Sequence, residues 1–576
     1  MRSRSKSVRR TALLCAGLAL PLFATACSNE ENFDVSQQIG PDPVLPAPSQ
    51  ELLPALKVAE VVGWKDGEMP SVAQGLTISA YAKDLGNPRT VHTLPNGDVL
   101  VIQSRGPEGE PKTRPKDFIR GWIMAIAHGG GGGSKPPESN RITLLRDTDR
   151  NGTVDERHEL LSGLHSPFGV AWVDDTLYVA ATDAILAYPF RLGDTTVSAA
   201  PRVLTPLPGG PIDHHWTKDL ALSPDQQSLF VSVGSNSNIV ENGIEAEKGR
   251  AAIWQVDRET GAARVFASGL RNPNGLTFEP ETKALWTVVN ERDELGPNLV
   301  PDYMTSVQEG AFYGWPWSYY GNHVDERVRP QRPDMVERAI KPDYALSSHV
   351  AALGMTFSHG SAMPQAFAHG AFIGEHGSWN RTAFNGYRVI YVAFEGGRPV
   401  GKPVDVVTDF LNGDQARGRP VGVGIDGTGA LLVADDAGNT VWRVAAADGS
   451  VSAAPLATDQ MPATSAATSP ASRDPAAQDP AAASGGAPAP APGTSAQPGS
   501  PPAPALAQPT QPAQPTQPAP PAQPAPPAAV EPATPANPPQ GAQSGETDAT
   551  PANPPSQLDI APATLPSGTV EGQGRP

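Results

Sequence analysis

The stretch that decides the fold reads Ile212-Asp213-His214-His215-Trp216-Thr217-Lys218-Asp219, then Leu220-Ala221-Leu222-Ser223-Pro224-Asp225, then Ser228-Leu229-Phe230-Val231-Ser232-Val233-Gly234. A polar loop, a short apolar strand, a Ser-Pro-Asp turn and a second apolar strand make a β-hairpin with two histidines at its mouth. The same order recurs along the chain. It appears at Asn87-Pro88-Arg89 with Val99-Leu100-Val101-Ile102, at His165-Ser166-Pro167-Phe168 with Leu177-Tyr178-Val179, and at Leu270-Arg271-Asn272-Pro273 with Leu285-Trp286-Thr287-Val288. It returns at His349-Val350-Ala351-Ala352 with Phe372-Ile373, and at Arg417-Gly418-Arg419-Pro420 with Leu431-Leu432-Val433. Six copies of several short strands, with no amphipathic helical period, predict an all-β, six-bladed β-propeller over residues 55–445. The second apolar strand of each copy is expected to be the inner one. The strand at Leu76 is expected to pair with the last copy and so remove an open edge. Residues 106–137 and 297–348 read as insertions between copies, the latter carrying Phe312-Tyr313-Gly314-Trp315-Pro316-Trp317.

The ends differ in composition from this middle. The chain has 576 residues and 64 prolines, and no Trp, Tyr, Phe or Lys follows Arg443. Residues 446–576, rich in Pro, Ala and Gln, therefore read as a disordered tail, because so little apolar area cannot offset the entropy of ordering it. Residues 1–26 read as an export signal, with Arg2, Arg4, Lys6, Arg9 and Arg10 before an apolar run too short to span a membrane. Residues 27–54 read as a disordered linker.

Cys15 and Cys27 are the only cysteines, which excludes a disulfide or a covalent haem in the exported domain. The net charge of −17, without a basic run outside the leader, argues against nucleic acid as a partner. A propeller brings equivalent points of each copy to one channel mouth, and the loop before the first strand supplies Arg89, His165, His214, His215, Arg271, His349, Arg417 and Arg419. Cations gathered in an acidic protein predict a small polyanionic ligand between them.

Ala24-Thr25-Ala26-Cys27 resembles the lipobox of bacterial lipoproteins, which implies a lipid anchor on Cys27 and a periplasmic or cell-envelope location. Asp213-His214-His215, Gly269-Leu270-Arg271-Asn272-Pro273-Asn274-Gly275, Phe312-Tyr313-Gly314-Trp315-Pro316, His376-Gly377-Ser378-Trp379-Asn380-Arg381 and Arg417-Gly418-Arg419-Pro420 together resemble the sorbosone dehydrogenase branch of soluble quinoprotein sugar dehydrogenases. The resemblance spans about residues 75–444. It implies oxidation of a sugar, an aldose or a sugar aldehyde such as sorbosone, with pyrroloquinoline quinone (PQQ) and calcium, and with electrons passed to an external cytochrome or quinone.

The same resemblance implies that His215 is the general base and that Arg271 steadies charge developing on the quinone. It implies that Arg417 and Arg419 grip the cofactor's carboxylates, with Arg381, Tyr344 and His214 as further cofactor contacts. Calcium is implied at Glu291, Arg292 and Asp293, and a second ion at Asp302 and the Tyr313 carbonyl. Separately, Asp147-Thr148-Asp149-Arg150-Asn151-Gly152-Thr153-Val154-Asp155 has calcium-loop spacing, but position 12 is His158, so an Asx-rich turn is expected there. Two other readings stay open: a calcium-dependent propeller lactonase, which needs a carboxylate cage, and a non-catalytic envelope propeller.

Overall fold

The computed structural model describes residues 33–49, 57–107 and 138–451. The expected leader with Cys27, most of the 106–137 excursion and nearly all of the expected tail lie outside the described residues. Six sheets of four or five strands make up the fold, in chain order, with two small sheets beside them. Their first strands are Pro88–Thr93, Val170–Val173, Leu220–Leu222, Pro273–Phe278, Ala352–Phe357 and Pro420–Ile425. All six line one channel, to which Val91, Val170, Leu220, Thr277, Met355 and Val423 contribute.

The innermost strand is thus the short first one of each repeat, not the second as expected. Close approach at the axis explains the choice. A Cβ on Gly354 would lie 2.4 Å from the Val421 carbonyl oxygen, and one on Gly275 would lie 2.6 Å from the Met355 nitrogen. The second strands, such as Val99–Gln103 and Leu285–Val289, are buried along their whole length, and that produces the apolar runs that read as innermost. Apolar clusters fill the spaces between neighbouring sheets, as where Leu100, Ile102 and Leu144 meet Trp172, Leu177 and Val179.

The sixth sheet closes the ring as expected: Leu76–Ala82 pairs antiparallel with Thr440–Ala446, from Leu76 opposite Ala446 to Ala82 opposite Val441. The linker expectation needs correction over 33–49. Val35–Gln38 forms a 3-10 turn, and Ile39–Gly40 pairs with Leu346 and Ala345 as a fifth strand of the fourth sheet. Gln38 is fully buried, its amide donating to the Asn298 carbonyl and its oxygen accepting from the Ser348 N–H at 3.3 Å. A side chain that satisfies two buried backbone groups anchors this segment, where composition showed only polarity. The 297–348 insertion also shrinks, since Pro301–Ser306 and Tyr344–Ser348 are the third and fourth strands of the fourth sheet. Only 307–343 departs from it, and Trp315 from this excursion donates to the Asn238 carbonyl at 3.0 Å.

In every sheet the first strand starts, and the second ends, at the same end of the channel. Two sets of loops therefore meet at one mouth.

Candidate functional site

The loop before the third sheet is tied down at both ends. Asp213 accepts from Arg250 Nη1 at 2.7 Å and from the Thr182 hydroxyl, and Lys218 Nζ lies 3.7 Å away. Lys218 is fully buried, donates to the Trp216 carbonyl at 2.9 Å, and is pushed down to about 8 by burial. Between these anchors the His214 and His215 rings meet edge-on at 4.7 Å. His215 Nδ1 lies 2.9 Å from both the carbonyl and the hydroxyl oxygen of Ser235, whose own hydroxyl proton goes to the Ser237 carbonyl. Both Ser235 oxygens accept, so Nδ1 carries the hydrogen.

The next arc belongs to Arg271, which is buried. The Ser235 N–H donates to its carbonyl at 2.7 Å. Its Nη1 donates to the Glu291 carbonyl at 2.7 Å and the Asn290 carbonyl at 3.2 Å, and its Nη2 to Asn238 Oδ1 at 3.0 Å and Asp293 at 3.3 Å. Asp293 also accepts from Asn380, whose amide makes a 3.0 Å bond to His349 Nδ1. His349 is buried, and burial pushes its imidazole down.

A third arc completes the mouth. Arg419 donates from Nε to the His376 carbonyl at 3.1 Å and from Nη2 to the Gly377 carbonyl at 3.0 Å, with its guanidinium 5.2 Å over the Tyr387 ring. His376 Nε2 stands 3.0 and 3.2 Å from the two oxygens of Asp436. Asp436 also pairs with Arg89, whose guanidinium lies 5.9 Å over Phe168 and 5.7 Å over Trp216. Trp216 is in the His215 loop, so contacts run all the way round. Sequence reasoning missed the His376–Asp436 pair because its halves are 60 residues apart on different sheets. The signal lay in the second set of loops, those after each second strand, which meet the same mouth.

Other expected site residues are not brought to the mouth. Tyr344 is fully buried in the core between the fourth and fifth sheets, its hydroxyl on the Gly401 carbonyl at 3.0 Å. Arg381 is spent on the Pro297 carbonyl at 2.6 Å, Asn298 at 3.0 Å and the Ser348 hydroxyl, and burial pushes it down to about 10. Arg417 is half-buried, 3.7 Å from Glu68 and 5.9 Å over the Trp64 ring, apart from Arg419. His165 is exposed, with exposed Asp183 at 3.0 Å.

The expected metal oxygens are largely engaged. Arg271 holds the Asn290 and Glu291 carbonyls, and Arg292 is buried against Asp325. Asp302 accepts the backbone N–H of Glu291 at 2.8 Å and of Ala351 at 2.7 Å, one on each oxygen, and burial pushes it up to about 8. Tyr313 lies in a different neighbourhood, its N–H on the Ser268 carbonyl at 2.9 Å. Glu291 Oε1 is a buried oxygen without a hydrogen bond, and burial pushes this carboxyl up to about 7. Asp147, Asp149 and Asp155 bring carboxylates within 4.8 Å of one another, but their oxygens accept N–H groups of Asn151, Gly152 and Thr148, an Asx-rich turn.

The family model for glucose/sorbosone dehydrogenases matches residues 176–443. The matched segment contains the His215, Arg271, His376, Arg419 and Asp436 positions, while Arg89 lies before it. The chain is 30% identical over 110 residues to the aldose sugar dehydrogenase YliI of Escherichia coli, covering 19% of this chain and 28% of that protein. It is 23% identical over 286 residues to a pyrroloquinoline quinone-dependent pyranose dehydrogenase of Coprinopsis cinerea, covering 42% of this chain and 38% of that one. These alignments span well under half of either relative. The fold matches the holo form of the PQQ domain of Coprinopsis cinerea pyranose dehydrogenase with a TM-score of 0.53 at 19% identity, over 67% of this chain and all of that one.

Proposed function

We propose that this protein is a PQQ-dependent sugar dehydrogenase built on a six-bladed propeller, each of the six sheets being one blade. The observation that carries the proposal is the circuit of Arg89, His215, Arg271, His349, His376 and Arg419 around one channel mouth. The donor set suits a flat polycarboxylate. Arg89 Nε and Arg271 Nε are buried donors without a hydrogen bond, as is the acceptor Asn272 Oδ1, so the mouth holds polar atoms that the protein itself leaves unsatisfied. When bound, the quinone supplies a two-electron acceptor for hydride. The chain's own residues then do the rest. Arg419 and Arg89 hold carboxylates, Arg271 places positive charge on the arc beside His215, and His215 takes the proton of the sugar hydroxyl at Nε2.

Calcium does not fit the 290–293 loop as folded here, because Arg271 occupies the carbonyls of Asn290 and Glu291 that a hard cation would need. A cation there requires Arg271 to leave them, so no step is assigned to it.

The substrate class, an aldose or a sugar aldehyde, and transfer of electrons to an external cytochrome or quinone belong to this reading. So does anchorage by lipid on Cys27 in the cell envelope, supported by the basic leader, the short apolar run and Ala24-Thr25-Ala26 before Cys27. The test is to titrate apoprotein with PQQ, following its absorbance, and then to assay dye reduction across a panel of sugars with and without calcium. Saturable binding and sugar-dependent dye reduction are expected. Hydrolysis of a sugar lactone with no acceptor, or no quinone binding, would overturn the reading.

A further inference from the structure

Two imidazoles at the mouth are fixed in opposite tautomers. His215 turns Nδ1–H to Ser235, which leaves the lone pair on Nε2. At His376 the partner of Nε2 is the Asp436 carboxylate, at 3.0 and 3.2 Å. An ionised carboxylate only accepts, so Nε2 carries the hydrogen and the lone pair is on Nδ1. No other hydrogen bond to this ring is found among the described residues, and 14% of the side chain remains exposed. The ring is held from two sides, by Asp436, which Arg89 braces, and through the His376 carbonyl, which receives Arg419 Nε. A carboxylate behind an imidazole orients it and stabilises the imidazolium formed when the front nitrogen takes a proton.

We propose that His376 is a second proton-accepting group of this mouth, with Asp436 setting its tautomer and Nδ1 receiving the proton. The proposal rests on the sugar oxidation above. Each turnover removes a hydroxyl proton and a hydride from the sugar, leaving a carbonyl. His215 takes the hydroxyl proton, and the hydride would carry its electron pair to the quinone. When the external acceptor takes those two electrons, the hydride's hydrogen is left as a proton, which His376 Nδ1 receives and passes to solvent on a different arc of the mouth.

Asp436, Arg89 and Arg419 are the charged groups that face His376. Burial and then Arg419 push its imidazole down to about 4. A polyanion seated against Arg89 and Arg419 offsets that repulsion and raises the proton affinity of the ring. By reciprocity, quinone binds more tightly as pH falls towards the His376 range.

The test reads the ring directly. Nitrogen-15 NMR of histidine-labelled apoprotein is expected to show His376 neutral at pH 7 and protonated on Nε2. Added PQQ is expected to move its titration upward, and Asp436→Asn to mix the tautomers. In reconstituted enzyme, His376→Gln is expected to lower kcat by about 10²-fold while quinone still binds, and Asp436→Asn to shift the acid limb of the kcat profile. An Nδ1–H tautomer, an imidazolium at pH 7, or normal quinone binding that leaves the His376 titration unmoved would overturn this proposal alone. No quinone binding by the unaltered protein would overturn the functional reading and this proposal with it.

Discussion

Glycine at 234 decides where His215 stands. A Cβ there would lie 2.5 Å from His215 Cβ and 2.7 Å from Asn272 Oδ1, so only glycine lets the end of the second strand pass beneath the imidazole. Gly234→Ala is therefore expected to push His215 off Ser235, cutting kcat at least tenfold with little change in thermal midpoint. Equal loss of both would show that the crowding spreads into the sheet. His215→Ala is expected to bind PQQ within a few-fold of the unaltered protein and to lose about 10²- to 10⁴-fold in turnover, checked by absorbance titration and dye reduction on one sample. Arg89, Arg271, Arg419 and His215 were legible in the sequence because they share one position in the repeat, whereas Arg417 shares that loop and turns instead to Glu68 and Trp64. Asp436 was not, since an acidic residue after a buried strand looks like any strand end until His376 is set against it.

At the scale of elements, two devices hold the mouth in shape. Asp213 sits between Arg250 and Lys218 with all three buried, so Asp213→Asn would leave two uncompensated cations in the interior. That change is expected to cost about 3–5 kcal/mol in chemical denaturation. The second device is the segment at 33–49, which braces the 294–300 loop through Gln38 and through the Ser49 N–H on the Leu295 carbonyl at 2.9 Å. Gln38→Ala leaves a buried donor and a buried acceptor unpaired and is expected to cost about 1–3 kcal/mol by the same measurement. Hairpins were readable from Ser-Pro-Asp and Asn-Gly turns between apolar runs. The bracing segment was not, because a polar side chain that buries itself on backbone groups leaves no hydrophobic pattern. Tyr344 was misplaced because motif matching does not distinguish the end of a strand that faces the mouth from the end that does not, and Arg381 because its donors are taken up by Pro297, Asn298 and Ser348.

For the whole molecule, buried carboxyls set the response to pH. Asp302 is pushed up to about 8, and Glu291 and Glu375 up to about 7, each mainly by burial. A folded-state value above the unfolded one means that the stabilisation is complete at low pH and is lost as pH rises through the folded value. His349 and His376 act in the opposite sense, but only below the ordinary histidine range. Lys218 begins to gain only near its folded value of about 8. The denaturant midpoint is therefore expected to fall between pH 6.5 and 8, and a midpoint that rises there would contradict the assignment. The ring of sheets was legible because its repeats are explicit.

One consequence of the pairing of Leu76 with Ala446 concerns what can be attached to this protein. That register puts both crossing points of the ring on the rim away from the arginines, and the Ala447 N–H bonded to the Gly75 carbonyl at 2.9 Å holds them side by side. A reporter or electrode linker spliced in after residue 451 would start from the end of the sixth sheet opposite the His215 loop, leaving the channel mouth unobstructed.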